Sequence, residues 1–292
     1  MKDYLVRGMS MDGFVKVVAI RSTDIVRRSA EIHNTTPNAT AAFGRALTAA
    51  SMMGNMQKVE NGSMTLQIRG GGPIGTITCV SDCVGNVRGY VTEPHVPLVE
   101  KYPGKLDVGS TVGVDGTLTV IRDLQMKEPY VGSVPLISGE IGDDVTSYFE
   151  QSEQNPTSCA MGVMVDTDCS VKVAGGYMVQ LLPGAPDEVI DALEAGIQRA
   201  GAVTKMLEAG MTPEDILGQV CGQMGVVFME TTEVSYKCYC SRERVESALI
   251  SLGRKELQEI AEEGEEFPVE CQFCDHVYKF TPDDVRELIA NS

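Results

Sequence analysis

Two short stretches near the carboxy-terminal end carry the residues best suited to chemistry. "KCYCSRERVES" sets Cys238 and Cys240 one residue apart, and "CQFCDHVYKF" sets Cys271 and Cys274 two residues apart. A CxC hook and a CxxC hook separated by a helical insertion supply four sulfur ligands, which suits the tetrahedral preference of zinc. Ligands on tight turns let two thiolates face one ion with little chain entropy lost. Four thiolates also close the coordination sphere, leaving no position for an activated water, so a hydrolytic zinc site is disfavoured. The rival ligand is His276, two residues beyond Cys274. A thioredoxin-like CxxC would open a helix after a strand, whereas "CQFC" follows an acidic helical stretch and precedes the strand-like "DHVYKF".

The expected site is therefore one zinc per chain on Cys238, Cys240, Cys271 and Cys274. It sits in a module of about 55 residues, near the size at which an apolar core alone is marginal. Structural zinc contributes about 10–16 kcal/mol of apparent binding energy, which becomes folding energy. Thiols drawn into disulfides cannot hold the metal, so the same ligands form a switch in principle.

The rest of the chain must position that module. Up to about Leu182, runs such as "SMTLQIRGGGPIGTITCV", "GTLTVIRD", "CAMGVMVDTD" and "SVKVAGGYMVQLL" alternate β-branched and polar residues between glycine turns. "TTPNATAAFGRALTAASMMGN" predicts one strong helix, with Thr36 as N-cap, Pro37 at the first position and Gly54 as the stop. "SGEIGDDVTSYFEQSEQNP" predicts a second. Strands and helices mix without a regular βαβ alternation, which makes an α+β core.

After "LLPGAP" the character changes. Ile190, Leu193, Ile197, Ala200, Val203 and Leu207 share one helix face over Asp187 to about Leu207, weakened by Gly196, Gly201 and Gly210. A short helix then starts at "TPEDILGQV", capped by Thr212. The β-like "MGVVFMETTEVSY" leads into the thiol region, where residues 241–292 hold thirteen Asp and Glu against six Lys and Arg. Ser241 and Thr281 are the caps expected for short helices there. The domains expected are thus a core over 1–182, a helical linker over 183–233 and a zinc-binding module over 234–292.

Composition narrows the function. The amino terminus "MKDYLVRGMSMDGFVKVV" carries charge throughout, and no run approaches the roughly 20 apolar residues that span a bilayer. The expectation is a cytoplasmic protein with no membrane contact. A formal charge of −17 disfavours nucleic acid as partner, since phosphate contacts need clustered Lys and Arg. No Walker loop or serine elbow is present, and "IRGGGPIG" lacks the lysine of a phosphate loop. No enzyme is expected, and His33 and His95 read as structural or surface residues. Of the nine cysteines, Cys79, Cys83, Cys159 and Cys169 lie in or beside β-like runs and read as buried thiols, while Cys221 in the linker is open to redox chemistry.

With these residues in hand, the chain resembles the 33 kDa chaperonin family, the redox-regulated heat shock protein 33 chaperones. The resemblance rests on "CYC" with "CQFC", on "GEIGDDVTSYFEQSEQNPTSCAMGV", on "GGYMVQLLPGA" and on "CQFCDHVYKF" followed by "DDVREL". It implies an ATP-independent holdase that is inactive when reduced and zinc-bound. Oxidation, with zinc release, lets it capture unfolding client proteins under stress. It also implies that near neighbours pair on oxidation, Cys238 with Cys240 and Cys271 with Cys274. Release of the linker's apolar face from the core would favour an oxidised homodimer that buries part of that surface. The competing class is a zinc-ribbon protein with a constitutive structural zinc serving macromolecular assembly.

Overall fold

The structure is a computed structural model describing residues 2–57 and 59–291. It divides into two compact units, Met1–Lys237 and Cys238–Ser292. The first unit opens with β1 (Tyr4–Ser10), β2 (Val15–Arg21), α1 (Thr23–His33) and α2 (Pro37–Asn55). Then come β3 (Ser63–Arg69), β4 (Thr76–Asp82), β5 (Val87–Val91), the small hairpin β6 (Glu100–Tyr102) and β7 (Lys105–Leu106), and α3 (Val108–Val112). They are followed by β8 (Thr117–Asp123), β9 (Tyr130–Pro135), α4 (Gly142–Gln151), β10 (Thr157–Val165) and β11 (Val171–Leu181). The unit closes with α5 (Asp187–Ala200), α6 (Val203–Glu208), α7 (Pro213–Cys221) and β12 (Val226–Glu233).

Two five-stranded antiparallel sheets enclose α2. One runs β10-β11-β2-β1-β12, the other β5-β4-β3-β8-β9. Every residue of α2 except Pro37 and Arg45 is buried, as a helix apolar on all sides must be. Its Ala, Gly, Ser and Thr residues keep it thin enough for both sheets to approach: a Cβ on Gly44 would stand 2.6 Å from Val26 Cγ1. Arg45 reaches the edge, where it pairs with Glu140 at 2.7 Å. Thr36 precedes the helix as expected, but its hydroxyl donates to the carbonyl of Val96 rather than capping α2.

Helices cover both faces of the first sheet. Leu5, Val18, Ile20 and Met178 face α2. Val6, Val17, Ala19, Tyr177 and Val179 face α5–α7, which contribute Leu193, Val203, Met206, Leu207, Ile216, Leu217 and Val220. The stretch read as a linker thus lies on the sheet, and its residues 226–233 join the sheet as β12. The helix expected over 187–207 is interrupted, because Gly201 takes a φ of +69° and ends α5 before α6 begins at Val203, yet Leu193, Ile197, Ala200, Val203 and Leu207 of the expected face all pack in this one apolar cluster. Gly196 has a packing role that its helix propensity conceals, because a Cβ there would meet the Val220 carbonyl oxygen at 1.9 Å. Among the described residues no helix is long and apolar enough to cross a membrane.

Candidate metal centre

The first unit ends in an extended tether, residues 234–237. The Val87 amide donates to the Ser235 carbonyl at 3.0 Å and the Lys237 amide to the Val87 carbonyl at 2.9 Å, so the tether runs parallel along the edge strand β5. The Tyr236 hydroxyl donates to the Gly89 carbonyl at 2.9 Å and meets His33 Nε2 at 3.2 Å. His33 is therefore a structural residue. His95 is exposed and meets Asn34.

The second unit holds α8 (Arg242–Ser251), α9 (Arg254–Glu263), β13 (Phe267–Glu270), β14 (Val277–Phe280) and α10 (Pro282–Asn291). Cys238 and Cys240 lie in the extended stretch ended by Ser241, whose hydroxyl accepts from the Arg244 amide and starts α8. Cys271 and Cys274 lie in the turn between β13 and β14. There the Cys271 amide donates to the His276 carbonyl at 3.1 Å, and the Cys274 amide to that of Cys271 at 3.3 Å. Arg242 joins the two halves: its guanidinium stacks 4.4 Å from the Phe280 ring centre and pairs with Glu246 and Asp284. The apolar core beneath is small, its buried part being Leu249, Leu257, Ala261, Phe280 and Val285.

The sulfurs of Cys238, Cys240, Cys271 and Cys274 all lie within 4.8 Å of one another. Cys238 Sγ is 3.7 Å from Cys271 Sγ, and Cys240 Sγ is 3.5 Å from Cys274 Sγ. Zinc–sulfur bonds of about 2.3 Å in a tetrahedron require sulfurs about 3.8 Å apart, so donor type, number and spacing all fit a tetrahedral ion. His276 is outside the group; its ring packs on Tyr278, 4.4 Å between centres. Burial pushes the Cys238 thiol up to about 11 and raises Cys274 as well. Burial acts upward on Cys240 too, but hydrogen bonds from Tyr278 and the other thiols outweigh it and lower this group. Tyr278, a donor to that sulfur, carried no signal in the sequence beyond an ordinary strand tyrosine.

The other five thiols stand apart from this cluster. Cys79 is fully buried on β4, and burial raises it far above the usual range. Burial lifts Cys159 on β10 to about 12. Cys83 is half-buried, and Cys169, expected to be buried, is exposed at the tip of the β10–β11 hairpin with φ +68°. Cys221 is 2% exposed at the end of α7, and burial raises its thiol to about 11, which withdraws it from ready oxidation.

A sequence model of the family described as Hsp33 protein matches residues 3–281. The chain belongs to the Hsp33 family. An Hsp33 relative from Bacillus cytotoxicus, named 33 kDa chaperonin, is 46% identical across 99% of each chain. A 33 kDa chaperonin of Bacillus cereus strain B4264 is 46% identical over the full length of both. The crystal structure of the 33 kDa chaperonin (heat shock protein 33 homolog) of Thermotoga maritima superposes with a TM-score of 0.91 at 35% identity, covering 100% of this chain and 99% of that one. The Hsp33 fold therefore extends over the whole molecule.

Proposed function

We propose that this chain is a cytoplasmic, redox-regulated, ATP-independent holdase for unfolding proteins. In the reduced state Cys238, Cys240, Cys271 and Cys274 hold one zinc ion. The observation that carries the reading is the convergence of these four thiols in a small unit of an Hsp33 chain. When bound, zinc supplies folding energy to a unit whose own buried core is five residues.

Oxidation acts on the thiols themselves. Two thiols give up two protons and two electrons to a peroxide, which becomes two waters, and one sulfur–sulfur bond forms. Family resemblance assigns the bonds as Cys238 with Cys240 and Cys271 with Cys274, although the short contacts of the reduced cluster run between the hooks. A disulfide needs sulfurs about 2.05 Å apart, so either pairing requires movement.

The tether leads from β12 directly into Cys238, so loss of the second unit's fold frees the end of the α5–β12 segment. Undocking α5–α7 would uncover their own apolar face and that of Val6, Val17, Ala19, Tyr177 and Val179. Clients, or a second oxidised copy forming a homodimer, would cover these faces. Light scattering from an unfolding client tests the reading: peroxide-treated protein should suppress aggregation and reduced protein should not. Equal suppression by both would overturn the redox switch. Peptide mapping after peroxide treatment checks the bonds, and dominant bridges between hooks or to Cys221 would refute the near-neighbour pairing.

A further inference from the structure

The first sheet extends past the helix that covers it. On the α2 face its cross-strand rows run Leu5–Ile20–Gly176, Arg7–Val18–Met178 and Met9–Lys16–Gln180. Helix α2 ends at Asn55, and Met56 just beyond it walls a cavity of about 370 Å³ over the last two rows. A bulge shapes the opposite rim: Arg7 faces Glu230 and Gly8 faces Phe228, which leaves Met229 as the extra residue of β12. Met9, Met56, Met178 and Met229 all line the space. An adjoining cavity of about 300 Å³ shares Lys16, Met56 and Gln180 and adds Gln57. The Gln57 carboxamide is buried with neither its nitrogen nor its oxygen hydrogen-bonded.

Charge decides the ligand class. Arg7 is committed to Glu230 and to the Asn55 carbonyl, and Arg122 to Glu153. Among the described residues the Lys16 ammonium has no such partner. We propose that this groove binds a monocarboxylate bearing an unbranched apolar chain of medium length, the chain lying among the four methionines and the carboxylate meeting Lys16 and the Gln57 amide nitrogen. Unbranched, polarisable methionines adapt to a flexible chain. One ammonium without an uncommitted guanidinium fork suits a single charge better than a phosphate. The volume is at the lower end of small-molecule sites. On a chain of net charge −17 an anion is held only where a cation is uncommitted.

The test uses reduced, metal-loaded, full-length protein with 13C-methyl methionine, titrated with decanoate and separately with decanol. Because the thiols stay reduced, the outcome is independent of the redox reading. Among the 15 methionines, the signals of Met9, Met56, Met178 and Met229 should shift together and saturate. Lys16→Gln, at an exposed position, should weaken decanoate about tenfold, the loss of one charged hydrogen bond, and leave decanol unchanged. The absence of a saturable response, or shifts led by the exposed Met11 and Met126, would overturn the site. Equal affinity for decanoate and decanol, unmoved by Lys16→Gln, would overturn the carboxylate assignment.

Discussion

Asp3 shows how one side chain can tie stability to pH. It is 3% exposed; Oδ2 accepts from the Ile25 amide at 2.7 Å, while Oδ1 has no partner. Burial pushes its carboxyl up to about 7, against the lowering effect of the Ile25 hydrogen bond. Unfolded, the same group titrates near about 3.9. Between these values the folded state holds the proton and the unfolded state has lost it, so stability falls as pH rises from about 4 to 7 and levels off above. Asp3→Asn should remove that slope and raise stability at pH 8 by roughly 2–4 kcal/mol, with little change at pH 4. Calorimetric midpoints across this range check it. At the tether, Tyr236→Phe removes the hydroxyl that holds Gly89 and His33. About 1–3 kcal/mol of local stability should go with it, read as faster hydrogen exchange at the Val87 and Lys237 amides.

At the scale of elements, the decisive contact is between α5–α7 and the sheet. Leu193 is 4% exposed in that layer, and truncating a buried leucine costs about 2–5 kcal/mol; an aspartate there adds the cost of burying a charge. Leu193→Asp should therefore release the helices and produce holdase activity while zinc remains bound. Gly196→Ala provides an independent route, since its Cβ would collide with the Val220 carbonyl oxygen and separate α5 from the end of α7. Light scattering paired with a zinc assay reads both variants. Inactive variants that are metal-loaded and intact in the sheet would show that release of α5–α7 is not the activating step.

For the whole molecule, the two compact units rest on different sources of stability. The first builds two sheets around a buried helix, with an extensive apolar core. Among its described residues the second has five buried core residues and four converging thiols. With zinc held by the four thiols as proposed, chelation should remove the about 10–16 kcal/mol that a structural zinc contributes and unfold Cys238–Ser292 selectively. Hydrogen exchange should show protection lost from α8, α9 and α10 and kept in β1, β2 and β11. Protection retained in α8–α10 after chelation would mean that the apolar core suffices.

The four-thiol group was legible because two hooks fix most of its geometry locally: each pair sits on a few residues of turn, wherever the rest of the chain goes. Helix ends were legible for the same reason, through caps such as Thr212 and Ser241, which bond within three residues. The one-sided sheet also showed itself, since buried Met64, Leu66 and Ile68 alternate on β3 with the half-buried polar residues Ser63, Thr65 and Gln67 and the exposed Arg69. Strands β1 and β2 did not stand out as a pair, because β2 is covered on both faces and its run Val17–Ile20 is buried without alternation. That the glycine-weakened face over 187–207 lies against the amino-terminal sheet was also legible, since so apolar a face needs a cover. Tertiary structure alone decided that Gly196 is there for a backbone contact, and that Cys169 is exposed while Cys221 is buried. Burial and long-range contact depend on which surfaces meet, and residues far apart in the chain settle that only once both sheets have closed around α2.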